Sequence, residues 1–247
     1  MSFFEDAKTF YTDFLKRGDP RVEEWFLMQS PVPIMILFVS YIFVVLVSPR
    51  VMKNVQPLNL KAVLIPYNFI LVGLSIYMFL EFLTVSLLSN YSYLCQPVDY
   101  SESPLAIRVF FILRKKFNQV SFLHVYHHCT MILNWWMGVK YVAGGQSFFT
   151  GMLNSFVHIF MYTYYGLAVF GPHMQKYLWW KKYLTKLQLT QFVAFVIHTG
   201  YNLITDCDFP QGFNVAVFIY AITLILLFGN FYYHSYLEKQ REKKKFY

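Results

Sequence analysis

A chain of 247 residues that is 57% hydrophobic, 21% aromatic and only 14% charged is too apolar for a soluble domain of that size. The net charge of +8 does not mark a nucleic-acid protein. Lys and Arg sit in short loops and at the tail (Arg50 and Lys53, Arg114 to Lys116, Lys181 and Lys182, Lys239 to Lys245), which is how cytosolic loops facing anionic lipid or phosphate-bearing ligands read. The first thirty residues hold Glu5, Asp6, Lys8, Asp13, Lys16 and Arg17 with no continuous apolar core, so residues 1–30 form an N-terminal segment and not a cleavable signal peptide. Six stretches then approach the length needed to cross the bilayer as helix, about 20 residues: Val32 to Val47, Ala62 to Leu88, Val120 to Val139, Ser147 to Val169, Tyr183 to Ile204, and Phe213 to Tyr233. No linker, low-complexity tract or internal repeat divides them. The expected fold is an all-α polytopic membrane bundle, one domain over 1–247, with a basic cytosolic tail over 234–247.

Two loops lack basic residues. Ser89 to Pro104 contains the sequon Asn90-Tyr91-Ser92 and Cys95, and Thr205 to Gly212 contains Cys207. Both have the composition of lumenal loops, and if both are lumenal Cys95 and Cys207 are free to bridge. Cys129 lies inside a span, as a buried thiol would.

The polar residues inside the spans fall on stripes. His124, His127 and His128 stand at i, i+3 and i+4, one helical face, with Asn134 seven residues beyond His127. Ionisable groups in hydrocarbon are costly and mark functional interiors. The next span puts Asn154, His158, Met161, Tyr162 and Tyr165 along one stripe, and the following one carries Gln188 and Gln191, with His198 one heptad later. Such glutamines also serve simply to join helices by hydrogen bonds. Two chemistries use a His-x-x-His-His box in a membrane. A metal-dependent lipid oxidase shares two metals among several boxes, and the seven histidines of this chain are too few once His173 in a loop and His234 near the tail are set aside. Nucleophilic and acid–base catalysis on a thioester needs one box, one further histidine and no metal.

"FLHVYHH", "NSFVHIFMYTYY", "TKLQLTQ", "FFILRKK" and "GGQSFF" resemble, in order and over nearly the whole chain, stretches of the very-long-chain fatty acid elongases, most closely the branch handling very-long-chain and polyunsaturated acyl groups. The resemblance implies a helical bundle around an acyl tunnel. It also implies condensation of a long-chain acyl-CoA with malonyl-CoA, giving a 3-oxoacyl-CoA, CO2 and CoA with no cofactor and no metal. His127 would take the acyl group and His158 would face it, while His124 and His128 orient the site and handle protons. Asn134, Asn154, Met161, Tyr162, Tyr165, Gln188 and Gln191 would line the substrate path, and Arg114, Lys115, Lys181 and Lys182 would hold CoA phosphates. Lys244 and Lys245, fourth and third from the end, match a dilysine signal for retrieval to the endoplasmic reticulum membrane. The expected partners are the bilayer, acyl-CoA, malonyl-CoA, the enzymes that continue elongation, and a second elongase chain in a homo- or hetero-dimer. The alternatives are a catalytically impaired member serving as a non-catalytic membrane subunit and, after it, the His-box metal-dependent lipid oxidase.

One departure from the family bears on all of this. Directly before the equivalent of "FFILRKK" the family has a complete membrane helix ending in Lys-x-x-Glu-x-x-Asp-Thr, whereas here Arg108 runs into Val109, so seven spans become six. The apolar piece Leu105 to Leu113 reaches only about 14 Å as helix, less than half of roughly 30 Å of hydrocarbon. The expectation is therefore that it stays on the cytosolic side and that the first two helices invert, with both chain ends cytosolic and Cys95 separated from Cys207.

Overall fold

The computed structural model describes residues 3–56, 59–100 and 122–238. Their regular structure is helical: α1 (Phe3–Lys16), α2 (Val32–Val51), α3 (Lys61–Leu88), α4 (Phe122–Tyr141), α5 (Ser147–Val169), α6 (Lys181–Ile204) and α7 (Gln211–Tyr232), the last running into one π turn, Tyr233–Glu238. Helices α2 to α7 fall on the six predicted stretches, and the chain is a multi-pass membrane protein. Among the described residues three runs, Val32–Asn54, Lys61–Leu88 and Gln211–Glu238, are long and apolar enough to cross a membrane by length and composition. The other three long helices, α4, α5 and α6, carry the histidines, asparagines and glutamines singled out above. Their polar residues dilute the apolar signal, and His127, Asn134, Asn154, Gln191 and His198 line a cavity described below.

Pairing follows small residues and apolar stripes. In α5, Gly151 lies against the Phe82 ring and Gly166 against Asn68 and Phe69 of α3, so α3 and α5 run antiparallel with their backbones close. Helices α6 and α7 close over Phe192, Phe195, Ala221 and Leu224, and α2 touches α4. Two glycines build the turn between α4 and α5: Gly144 and Gly145 have φ of 119° and 51°, a region that L side chains seldom adopt. A Cβ on Gly145 would also stand 2.9 Å from both the Gln96 carbonyl and the Phe209 ring.

One end of the bundle collects the close of α3, α4 and α6 and the start of α5 and α7. There Cys95 is bonded to Cys207. The N-terminal segment reaches the same end: Asp19 N–H donates to the Lys140 carbonyl at 2.7 Å, Trp136 Nε1 to Leu27 O at 2.8 Å, and Tyr141 Oη to Phe14 O at 3.1 Å. Buried Asp19 is paired with Arg21, whose Nη1 donates to Asp99 O at 2.7 Å.

This arrangement corrects the expected inversion. The N-terminal segment and the tail-side turn Tyr233–Glu238 lie at opposite ends, and Cys95 meets Cys207. The disulfide, the α3–α5 interface and the N-terminal hydrogen bonds all hold the first helices in one orientation, and together they outweigh the length rule applied to a single short segment. Residue 100 lies at the disulfide end, while α4 starts about 30 Å from it by helical rise. The segment from Leu105 to Leu113, on which the length argument turned, lies outside the described residues.

Candidate active site

Helices α4 to α7 enclose a cavity of about 440 Å³. From the histidine box its wall runs along α4 through His127, Met131, Asn134 and Gly138 to Val142 just past its end. Asn154 and Thr150 come from α5, Gln191, Phe195 and His198 from α6, and Tyr220, Val217 and Asn214 from α7. The spacing within each helix is three, four or seven residues, one face of a helix. Largely apolar walls with a few convergent polar groups make a ligand site.

His127 is held where α4 meets α7. Its ring centroid lies 6.5 Å from that of Tyr220. Tyr126 Oη and Thr223 Oγ1 share a hydrogen bond of 3.0 Å, and Thr130 Oγ1, which reaches the Tyr126 carbonyl at 2.6 Å, is 2.9 Å from Tyr220 Oη. Thus the residues on either side of His127 are tied to the opposite helix, and the imidazole is offered to the cavity on a fixed backbone. Gln191 stands at the same level, since its neighbour Phe192 shares an apolar cluster with Tyr126. It is 3% exposed, and its Nε2 has no hydrogen-bond partner.

The disulfide end is closed by a polar cluster. The His198 Nε2 is 2.6 Å from Gln146 Oε1, Gln146 Nε2 donates to Asn202 Oδ1 at 2.9 Å, and Asn202 Nδ2 donates to the His198 carbonyl at 2.8 Å. The Gln146 amide is also 3.4 Å from Cys207 Sγ, and the Phe149 ring stacks on His198 at 4.2 Å. The glycine pair just before Gln146 sets this up, because only that turn drops the side chain beneath the disulfide.

Of the predicted site residues, His127, Asn134, Asn154 and Gln191 line this cavity. His158, Met161, Tyr162, Tyr165 and Gln188 do not; they continue the same helices toward the tail end. There His158 lies against Tyr162, centroids 5.4 Å apart, and Gln188 Nε2 reaches Met161 Sδ at 3.7 Å. Met161 and Tyr165 pack around Tyr164, Leu178 and Leu184. Lys181 and Lys182 begin α6 at that end, Lys182 Nζ being 5.9 Å from the Tyr232 ring. His124 and His128 belong to α4, but their side chains, like Arg114, Lys115, Lys244 and Lys245, lie outside the described residues. Sequence reasoning did not assign Gln146, Asn202, Asn214 or Tyr220. His198 had a signal, its heptad spacing from Gln191, and Gln146 had only the glycine pair before it.

Over residues 26–244 the chain matches the family described as ELO: GNS1/SUR4. It is 48% identical to human very long chain fatty acid elongase 4, covering 96% of this chain and 82% of that protein. Rat very long chain fatty acid elongase 7 is 44% identical, with 95% and 92% covered, and human very long chain fatty acid elongase 1 is 41% identical, with 96% and 93% covered. The match to elongase 4 extends over 257 positions, more than the 247 residues of the whole chain. Because it takes in only 96% of this chain, the relative has on the order of 20 residues within the matched stretch that are absent here, the length of one membrane span.

Proposed function

The chain belongs to the ELO (GNS1/SUR4) family, and we propose that it is a fatty acid elongase that condenses a long-chain acyl-CoA with malonyl-CoA. The observation that carries this reading is His127, fixed on α4 and lining a mostly apolar cavity that the unpaired buried amide of Gln191 also lines. An imidazole nitrogen attacks the thioester carbonyl; the C–S bond breaks, CoA leaves as the thiol, and the acyl group rests on His127 as an acyl-imidazole. The Gln191 amide donates to the carbonyl oxygen as it gains charge. Malonyl-CoA then loses CO2, and the resulting carbanion attacks the acyl carbon. A carbon–carbon bond forms, the imidazole is released, and the product is a 3-oxoacyl-CoA two carbons longer. Burial protects the acyl-imidazole from water.

His158, His124 and His128 serve in proton handling and orientation, with Asn134 and Asn154 along the acyl path. Met161, Tyr162, Tyr165 and Gln188 line the approach, and Arg114, Lys115, Lys181 and Lys182 meet the CoA phosphates. The reaction requires no cofactor beyond its two substrates. Lys244 and Lys245 retrieve the protein to the endoplasmic reticulum membrane, where it hands its product to the enzymes that reduce and dehydrate it, as a homo- or hetero-dimer.

The test is malonyl-dependent elongation together with trapping of the acyl group on protein. His127→Ala should abolish both. An acyl adduct that persists unchanged in that variant would remove His127 from the role, and loss of elongation without loss of the adduct would move the nucleophile to another histidine.

A further inference from the structure

The disulfide end of the cavity is more polar than a plain alkyl chain requires. Asn214, in the first turn of α7, lines the cavity, is 1% exposed, and has no hydrogen-bond partner among the described residues for its Nδ2. Helix α7 also starts without a side-chain cap, after Pro210, so backbone N–H groups of its first turn are left to other acceptors; Phe213 N–H alone turns back to the Pro210 carbonyl, at 3.0 Å. Gly212 lines the same end, and the space where its Cβ would stand is empty. From Tyr220, beside His127, Asn214 is six residues back along α7, about 9 Å by helical rise. Gln191, the other fully buried cavity amide with an unpaired donor, has the acyl carbonyl to serve. Asn214 has no task in the condensation.

We propose that this end of the cavity binds a hydroxyl group on the distal part of the acyl chain, so that hydroxylated acyl chains are taken in preference to plain ones of the same length. The inference rests on the acyl reading of the cavity given above. A buried amide both donates and accepts, and so does a hydroxyl, whose oxygen takes the Asn214 amide proton while the start of α7 offers further N–H groups. A plain methyl end leaves the amide unpaired. A carboxylate fits the donors but not the charge: no Lys or Arg is among the described lining residues, and Asp206 and Asp208 stand on the loop leading into α7, so a buried anion there meets no counter-charge among them.

The experiment uses the purified full chain and displacement of a bound fluorescent fatty acid. Competitors are ω-hydroxy fatty acids, plain fatty acids and α,ω-dicarboxylic acids, matched in length across the medium- and long-chain range. At the best-fitting length the hydroxy acid should displace the probe at about tenfold lower concentration than the plain acid. Asn214→Leu should erase that advantage while the plain acid still binds, which also reports that the variant is folded; Gly212→Val, filling the empty space, should erase it too. Equal binding of hydroxy and plain acids, or an advantage that survives Asn214→Leu, overturns the inference and leaves the acyl cavity standing. Preference for the dicarboxylic acid overturns the hydroxyl assignment. Displacement by none of the acids overturns both this inference and the acyl reading beneath it.

Discussion

Gln146 joins parts of the chain that are far apart in sequence, its amide meeting His198 and Asn202 of α6, the Leu94 carbonyl after α3, and Cys207 Sγ. All three polar side chains are buried. Gln146→Leu keeps the volume and removes the amide's hydrogen bonds, leaving His198 Nε2 and Asn202 Oδ1 without their partner at a cost of about 1–3 kcal/mol each. A lowered unfolding midpoint in detergent is the expected result, and an unchanged midpoint would mean that water replaces the amide. The physical reason this residue is hard to find in sequence is its position at the start of a helix, where no periodicity yet exists. His127, Asn134, Asn154 and Gln191 were legible because each interrupts an apolar span on a helical stripe. Asn214 has neither advantage: it sits in the first turn of α7, and one amide there looks like any other near a loop.

At the scale of elements, the six long helices were legible to within a few residues at their ends, since long apolar runs mark them even where polar residues recur at helical spacing, but their pairing was not. The α3–α5 interface depends on Gly151, where a Cβ would meet Phe82 Cζ at 2.6 Å, and Phe82 is 1% exposed with no room to turn away. Gly151→Val should therefore force the helices apart and lower stability by about 1–3 kcal/mol, with Phe82→Leu in the same chain recovering part of the loss. Additive effects of the two changes would argue against the contact. A second prediction concerns the roughly 20 residues that the matched relative has and this chain lacks, which the family resemblance assigns to a membrane helix between Arg108 and Val109. Reaction rates depend on sub-ångström placement inside a dry site, and small displacements cost about a hundredfold. Inserting the relatives' helix between Arg108 and Val109 should raise two-carbon elongation from labelled malonyl-CoA by at least that order. Equal rates with and without it would mean that the described helices complete the site on their own.

For the whole molecule the decisive contact is the one between Cys95 and Cys207, 112 residues apart. A length rule for one short segment predicts that they lie on opposite sides of the membrane; the fold joins them, because orientation is set by the sum of helix packing, N-terminal hydrogen bonds and loop contacts. Closing a loop of that size removes unfolded-state entropy worth about 4–5 kcal/mol in the chain-entropy picture, so Cys95→Ser should lower the unfolding midpoint markedly. The orientation itself is tested by a protease site placed in the turn Pro172–Tyr177, which separates the two cysteines in sequence and lies at the end of the bundle away from them. After cleavage the halves should migrate as one species on a non-reducing gel and as two after reduction. In Cys95→Ser they should part without reductant. Halves that separate from the unaltered chain before reduction would mean that Cys95 never reaches Cys207 and that the first two helices enter the membrane the other way round, as the short segment before Arg114 taken alone would require.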